Sequence, residues 1–262
     1  MVFLSAFAML VCFILLARIV DLFFIASLDR ISGDLRLSSD AAGATLMAVG
    51  SSAPELFVAL FALLKPGEHE AIGIGSIVGS AIFNLLAIVG AAALVRKAKL
   101  TWQPAIRDLF FYTLAVVLLV FFIWDGRFSW TEAVVFLGVY VVYVIAVVYW
   151  KRILPYRDLP FDEPAESDCN SNGFFGWLDW GLCRLFPPKN HYYRLFLLSI
   201  MIIAGLSWVL VELAVHLSLA LNIPEAIIAL TVLAVGTSVP DLFSSLIVAR
   251  QGRGDMAVSN AI

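Results

Sequence analysis

The chain has 262 residues, of which 62% are hydrophobic and 14% charged, and its formal net charge is −3. A water-soluble globule sits nearer half apolar and a quarter charged, so most of this chain belongs in a bilayer, and no basic field for nucleic acid is present. The three cysteines, Cys12, Cys169 and Cys183, are odd in number and lack metal-ligand spacing; they read as packing or loop thiols.

In chain order, eight apolar stretches approach the ~20 residues that cross ~30 Å of hydrocarbon. They cover 2–28, 41–64, 71–95, 106–124, 130–150, 193–221 and 224–249, with a last one opening at Met256. The first has no basic leader, is too long for a signal h-region and carries Arg18 and Asp21, so it reads as a retained helix. Lys65-Pro66-Gly67 is a helix stop, Ser129-x-x-Glu132 has capping-box spacing and Asn222-x-x-Glu225 is a related cap. Trp102, Trp124, Trp130 and Trp150 fall at predicted ends, where amphipathic rings settle at headgroup level.

With the N-terminus outside, fourteen Lys and Arg fall in cytoplasmic connections and two, Lys65 and Arg127, in outer ones. This asymmetry predicts a multi-pass protein with its N-terminus outside and residues 151–191 as a cytoplasmic linker. Within that linker Phe174, Phe175, Trp177, Leu178, Trp180, Leu182, Leu185 and Phe186 predict an amphipathic helix on the membrane surface.

The chain repeats itself. Residues 44–57 read ATLMAVGSSAPELF and residues 230–243 read LTVLAVGTSVPDLF, 230 − 44 = 186 positions later, with eight of fourteen identical. Ser51 exchanges with Thr237 and Glu55 with Asp241. The copies lie on the second and seventh spans, an odd shift, so they cross the membrane in opposite directions. The fold class is therefore an all-α membrane protein with an inverted repeat, an architecture of secondary transporters whose site lies between the halves.

A carboxylate near the middle of a spanning helix costs roughly 2.5 to 3.5 kcal/mol, and two at repeat-related positions favour a shared cation. Pro54 and Pro240 precede them and free the carbonyls of Gly50 and Gly236. Both helices are therefore predicted to break where hydroxyls cluster, at Ser51 and Ser52 and at Thr237 and Ser238. Such a break is tolerated only in a protein-lined or water-lined cavity. Carboxylates, hydroxyls and carbonyls suit a hard cation such as Ca²⁺, whereas the lack of His and Cys disfavours zinc and copper. Close helix packing alone would explain the small residues but not the paired acids.

The third span opens GIGSIVGSAIFNLL over residues 73–86; Gly75, Ser76 and Gly79 suit close packing, while Ser80 and Asn84 share a face and offer neutral oxygens. Asp21 and Glu212 are related by the same inversion. Asp21 either reaches the ion pathway or pairs with Arg18 one turn away; Glu212 either reaches it or is a buried hydrogen-bonded acid.

GSSAPELF, GSIVGSAIFN and GTSVPDLFSSLIVARQGRGDMAVSN resemble the two alpha repeats of sodium/calcium exchangers in the calcium/cation antiporter superfamily. The Glu-then-Asp pairing with ARQGRGDMAVSN is most similar to the potassium-dependent branch. The resemblance implies two inverted five-helix halves: five transmembrane helices within 1–150, the linker 151–191, and the first part of a second repeat in 192–262. It implies non-enzymatic exchange of Na⁺ for Ca²⁺, with K⁺ co-transported, by alternating access, with no cofactor and with the ions and the lipid bilayer, not a protein, as obligatory partners. It also implies that Glu55 and Asp241 are central cation ligands, joined by Ser51, Ser52, Thr237, Ser238, Ser80 and Asn84 and by the carbonyls of Ala48 and Ala234. By the same resemblance the second repeat continues past Ile262, so the sequence reads as C-terminally truncated, without transport of its own. A cation/proton antiporter of the same fold would use the acids as proton carriers. From another class, Gly252-Arg253-Gly254-Asp255 matches an intramembrane aspartyl protease pattern, which leaves the repeat unexplained; Asp255 reads better as a helix cap.

Overall fold

The computed structural model describes residues 2–35, 48–67, 69–95, 102–126, 129–153, 176–186 and 191–250, and the described residues form helices and turns with no strand. α1 (Val2–Asp34) runs through a π segment at Val20–Phe24. α2 (Ala48–Ser51) and α3 (Ala53–Leu64) are collinear in sequence and part at Ser52. α4 (Glu70–Val95) contains a π segment at Asn84–Ile88. α5 (Trp102–Ile123) and α6 (Trp130–Ile153) form a hairpin, α7 (Gly176–Leu185) lies in the linker, and α8 is Tyr192–Leu221. α9 (225–250) joins Glu225–Ile228, the π segment Ala229–Leu233 and Ala234–Arg250.

Five described stretches are long and apolar enough to cross a membrane: Val2–Asp34, Glu70–Val95, Ala105–Ile123, Trp130–Trp150 and Tyr192–Leu221. The chain is an all-α membrane protein. The expected span 41–64 is present as the broken α2 and α3, and that at 224–249 as α9; residues 41–47, the expected span from Met256 and the segment Gly252–Asp255 lie outside the described residues.

The hydrophobic excess has a structural use. α1, α3, α8 and α9 share a core that includes Leu16, Val58, Leu210 and Leu233. Phe121, Leu137 and Met201 point outward instead, as lipid-facing surface requires. Trp124 and Trp130 stand exposed at the ends of α5 and α6, while Trp150 Nε1 donates to the Gln103 carbonyl at 3.1 Å. Asp108 Oδ1 accepts from Arg107 Nε at 2.8 Å within α5 and from the Tyr143 hydroxyl at 3.2 Å across to α6, and the latter bond helps close the hairpin.

Local signals are largely realised. α3 ends at Leu64, Lys65 turns extended and Gly67 takes φ 125°, open to glycine without strain. At Ser129 the amide donates to Glu132 Oε2 at 2.6 Å and the hydroxyl receives the Glu132 amide at 3.5 Å, a reciprocal capping box. Asn222 departs from expectation: it adopts the left-handed conformation (φ 54°, ψ 43°) and closes α8 rather than opening α9. Glu225 is drawn off to His69, whose Nδ1 lies 2.9 Å from Oε2. Together with the Lys65–Glu212 ion pair, this contact ties the α3–α4 turn to α8 and to the start of α9.

α7 forms where the aromatic run predicts a helix, with Trp177 and Trp180 exposed, but its other face docks on α1. Asp179 is fully buried and Phe186 nearly so. Cys183 is disulfide-bonded, not a free thiol, whereas Cys12 is free and buried.

Candidate functional site

Pro54 sits in the first turn of α3, where a missing N–H costs nothing, and Glu55 follows it in that same turn. The positive end of the helix dipole eases the burial of its negative charge. Glu55 is 7% exposed. The glycine of each motif copy lies under α1: a methyl on Gly50 would strike Leu28 and touch Phe24, and one on Gly236 would strike the Phe13 ring.

A cavity of about 360 Å³ opens beside Glu55, lined by Ser52, Leu56, Ile77, Ser80, Ala81, Asn84 and Tyr112. The hydroxyls of Thr237 and Ser238, from the second copy, lie within electrostatic reach of the Glu55 carboxylate. That approach stops short of hydrogen bonding at Oε2: Glu55 Oε2, Ser238 Oγ and Asn84 Oδ1 are buried with no hydrogen-bond partner among the described residues. Native interiors rarely leave such atoms unpaired, and a charged oxygen is the costliest to leave. Asp241 in turn lies within electrostatic reach of Glu55 and of Asp21.

The hydroxyls have a common polarity. Ser80 Oγ donates to the Ile77 carbonyl at 3.0 Å, and Thr237 Oγ1 donates to Leu233 at 3.1 Å, with Ala234 at 3.3 Å as alternative acceptor. A hydroxyl whose single hydrogen is spent on its own helix offers lone pairs to whatever approaches, which is the orientation a cation needs. Among the described residues no three His, Cys, Asp or Glu side chains converge closely enough to hold a metal.

The break in the first copy falls at Ser52, as its proline predicts. The second copy differs: Ala234–Arg250 stays helical through Pro240, and the irregularity is the π segment Ala229–Leu233, which ends one turn before Thr237. The Thr237 hydroxyl braces this turn from within. Of the expected ligands, Ser52, Glu55, Ser80 and Asn84 share the cavity wall, Thr237, Ser238 and Asp241 approach Glu55, and Ala234 is fully buried beneath them. Ser51 and Ala48 belong to α2 and do not line the cavity. Glu212 is half-exposed and paired with Lys65, away from the cavity. Arg18 pairs with Asp179 rather than with Asp21. Tyr112 lines the cavity unanticipated; its only sequence signal is a phenol in the middle of an apolar span.

Residues 5–149 and 191–262 match the sodium/calcium exchanger protein family. The chain belongs to this family. Similar members include sodium/potassium/calcium exchanger 1 of Homo sapiens, 40% identical over 154 residues that make up 58% of this chain and 14% of that protein. Sodium/potassium/calcium exchanger 4 of Mus musculus is 40% identical over 162 residues, 61% of this chain and 25% of the relative. The exchanger Nckx30C of Drosophila melanogaster is 43% identical over 141 residues, 53% and 16% respectively. The match thus spans a quarter or less of these relatives. Among solved structures, the sodium-calcium exchanger NCX_Mj soaked with Na⁺ and Sr²⁺ aligns with TM-score 0.57 at 25% identity, over 100% of this chain and 77% of its own. The H⁺/Ca²⁺ exchanger CAX shares the fold, with TM-score 0.64 at 18% identity over 99% and 62%.

Proposed function

We propose that this exchanger-family chain forms the cation-binding core of a secondary antiporter that exchanges Na⁺ for Ca²⁺, with K⁺ co-transported, by alternating access. The observation that carries the reading is Glu55, whose Oε2 is buried without a partner among the described residues, at a helix break, between a cavity that Ser52, Ser80 and Asn84 also line and the hydroxyls of the second motif. Glu55 and Asp241 supply the fixed charge, Ser52, Ser80, Asn84, Thr237 and Ser238 the neutral side-chain oxygens, and Ser51 with the carbonyls of Ala48 and Ala234 complete the set. One Ca²⁺ or several Na⁺ neutralise the same two acids. Left uncompensated, those acids are costly in a low-dielectric interior, so the conformational change is favoured only with cargo aboard, which makes an exchanger rather than a leak. The sodium/potassium/calcium exchangers among its relatives support the choice of ions.

In this reading 1–150 is one five-helix repeat, 192–262 belongs to its inverted counterpart, and 151–191 is the cytoplasmic linker, with the N-terminus outside. The fourteen-to-two distribution of basic residues supports the orientation.

The test is Ca²⁺ uptake into vesicles carrying the full-length protein under an outward Na⁺ gradient. Uptake is expected to follow the Na⁺ gradient and to vanish in Glu55→Gln and in Asp241→Asn. Uptake that persists in either variant overturns the site, and Ca²⁺ flux that follows a pH gradient but ignores Na⁺ replaces Na⁺ with H⁺ as the coupling ion.

A further inference from the structure

Arg18 and Asp21 stand one turn apart on α1, and a basic and an acidic side chain so placed within a membrane ordinarily pair. Here they do not. Arg18 Nε and Nη2 donate to Asp179 Oδ1 and Oδ2 at 2.7 and 2.5 Å, a two-bond fork to a carboxylate that is fully buried. Asp179 comes from the linker helix α7, 161 residues further on. A second anchor holds α7 in the same place: the rings of Phe186 and Phe23 stack with centroids 3.9 Å apart and planes 5° from parallel. Phe23 belongs to the same π segment as Asp21.

The face of α1 that carries Asp21 is the face that crosses both motif copies. Phe13 packs over Gly236, and Phe24 and Leu28 pack over Gly50. Asp21 lies between them, one turn before Phe24 on the same stripe, and within electrostatic reach of Asp241.

We infer that Asp179 is a positioning residue for the ion site: by engaging Arg18 it keeps that guanidinium off Asp21, which remains a third carboxylate whose field reaches the cation between Glu55 and Asp241. The inference rests on the cation-exchange reading above. It makes the linker a determinant of ion affinity. With Asp179 in place the two partners of the fork cancel and Asp21 keeps its charge; without Asp179, Arg18 turns to Asp21 and the site loses one negative charge. Coulomb energy scales with the charge of the bound ion, so the logarithm of the affinity change for Ca²⁺ is twice that for Na⁺. A packing defect carries no such charge weighting.

The experiment measures half-saturating Ca²⁺ and Na⁺ for exchange by the full-length protein in proteoliposomes. Asp179→Asn is expected to raise half-saturating Ca²⁺ about tenfold and Na⁺ about threefold, with the maximal rate held within about twofold. The double variant Arg18→Gln/Asp179→Asn, which loses both charges, returns both values to wild type. Asp21→Asn reproduces the weakening, and adding Asp179→Asn to it weakens both ions further, because Arg18 is then left without either acid. A double variant as weak as Asp179→Asn alone overturns the inference, because the fork would then act through packing. Unchanged half-saturation in Asp21→Asn also overturns it, and that result can be read even if Asp179→Asn fails to accumulate. Glu55→Gln in the same assay separates the two levels. If it transports normally, the site reading falls and this inference with it; if it is inactive while Asp179→Asn and Asp21→Asn match wild type, this inference alone falls.

Discussion

Gly79 of α4 meets the carbonyl of Leu230 in the π segment of α9: a methyl group on Gly79 would strike that oxygen and come within 2.6 Å of the Ala234 Cβ. The contact joins helices from the two ends of the sequence, backbone to backbone, directly beside Ser80. Gly79→Ala is expected to lower stability by about 1–3 kcal/mol through overpacking. Gly90→Ala, on the same helix with open space around it, leaves stability unchanged or slightly improved. Thermal unfolding of the detergent-solubilised proteins checks both.

Glu55→Gln removes a buried charge that has no protein partner at Oε2, so the unliganded variant is expected to unfold no earlier than wild type although it no longer transports. The sharper signature is ligand response. Ca²⁺ at about 100 times its dissociation constant stabilises a one-site protein by about 2.7 kcal/mol. Wild type should show this shift and Glu55→Gln should not.

Asn84 Oδ1 and the Tyr112 phenol share the cavity wall with Glu55. Asn84→Leu keeps the bulk and deletes the oxygen, and is expected to weaken Ca²⁺ about tenfold, roughly one charge-assisted contact. Tyr112→Phe preserves the ring and is expected to have a smaller effect than Tyr112→Ala, which enlarges the cavity. Half-saturation curves for the three variants rank them.

Glu212 points away from the cavity, half-exposed, to Lys65. A partly solvated pair of this kind contributes about 1 kcal/mol or less. Glu212→Gln should therefore retain Na⁺-driven Ca²⁺ uptake near the wild-type rate, and a double-mutant cycle with Lys65→Met should return a coupling of that size. Loss of transport in Glu212→Gln would put this acid back in the ion pathway.

The features legible in the sequence were those set by local chemistry or by repetition. Pro54 marked the break at Ser52, Lys65-Pro66-Gly67 the end of α3, and Ser129 with Glu132 the start of α6; the duplicated motif singled out Glu55 and Asp241. Contacts across long separations were not legible. Nothing local to Arg18 names Asp179 as its partner, and Asn222 looked like the start of a helix because its left-handed geometry depends on how α8 ends. Pro240 invites the same reading as Pro54, yet the irregularity of α9 lies at least about two turns earlier, at Ala229–Leu233, where the backbone of α4 presses against it. Tyr112 enters the site only because α5 borders the cavity that α3 and α4 also line, which no periodicity within α5 specifies.

The turn between α3 and α4 grips the far end of the chain twice, through Lys65 on Glu212 and His69 on Glu225. A movement that parts α3 from α8 must unhook the first grip, and one that parts α4 from α9 the second. Both grips are only partly buried, and the charges of the Lys65–Glu212 pair are of the kind that dissolved salt screens over about 10 Å at 0.1 M. In the exchange cycle proposed above, parting α3 from α8 is therefore eased by salt around the Lys65–Glu212 pair, whichever ion occupies the centre.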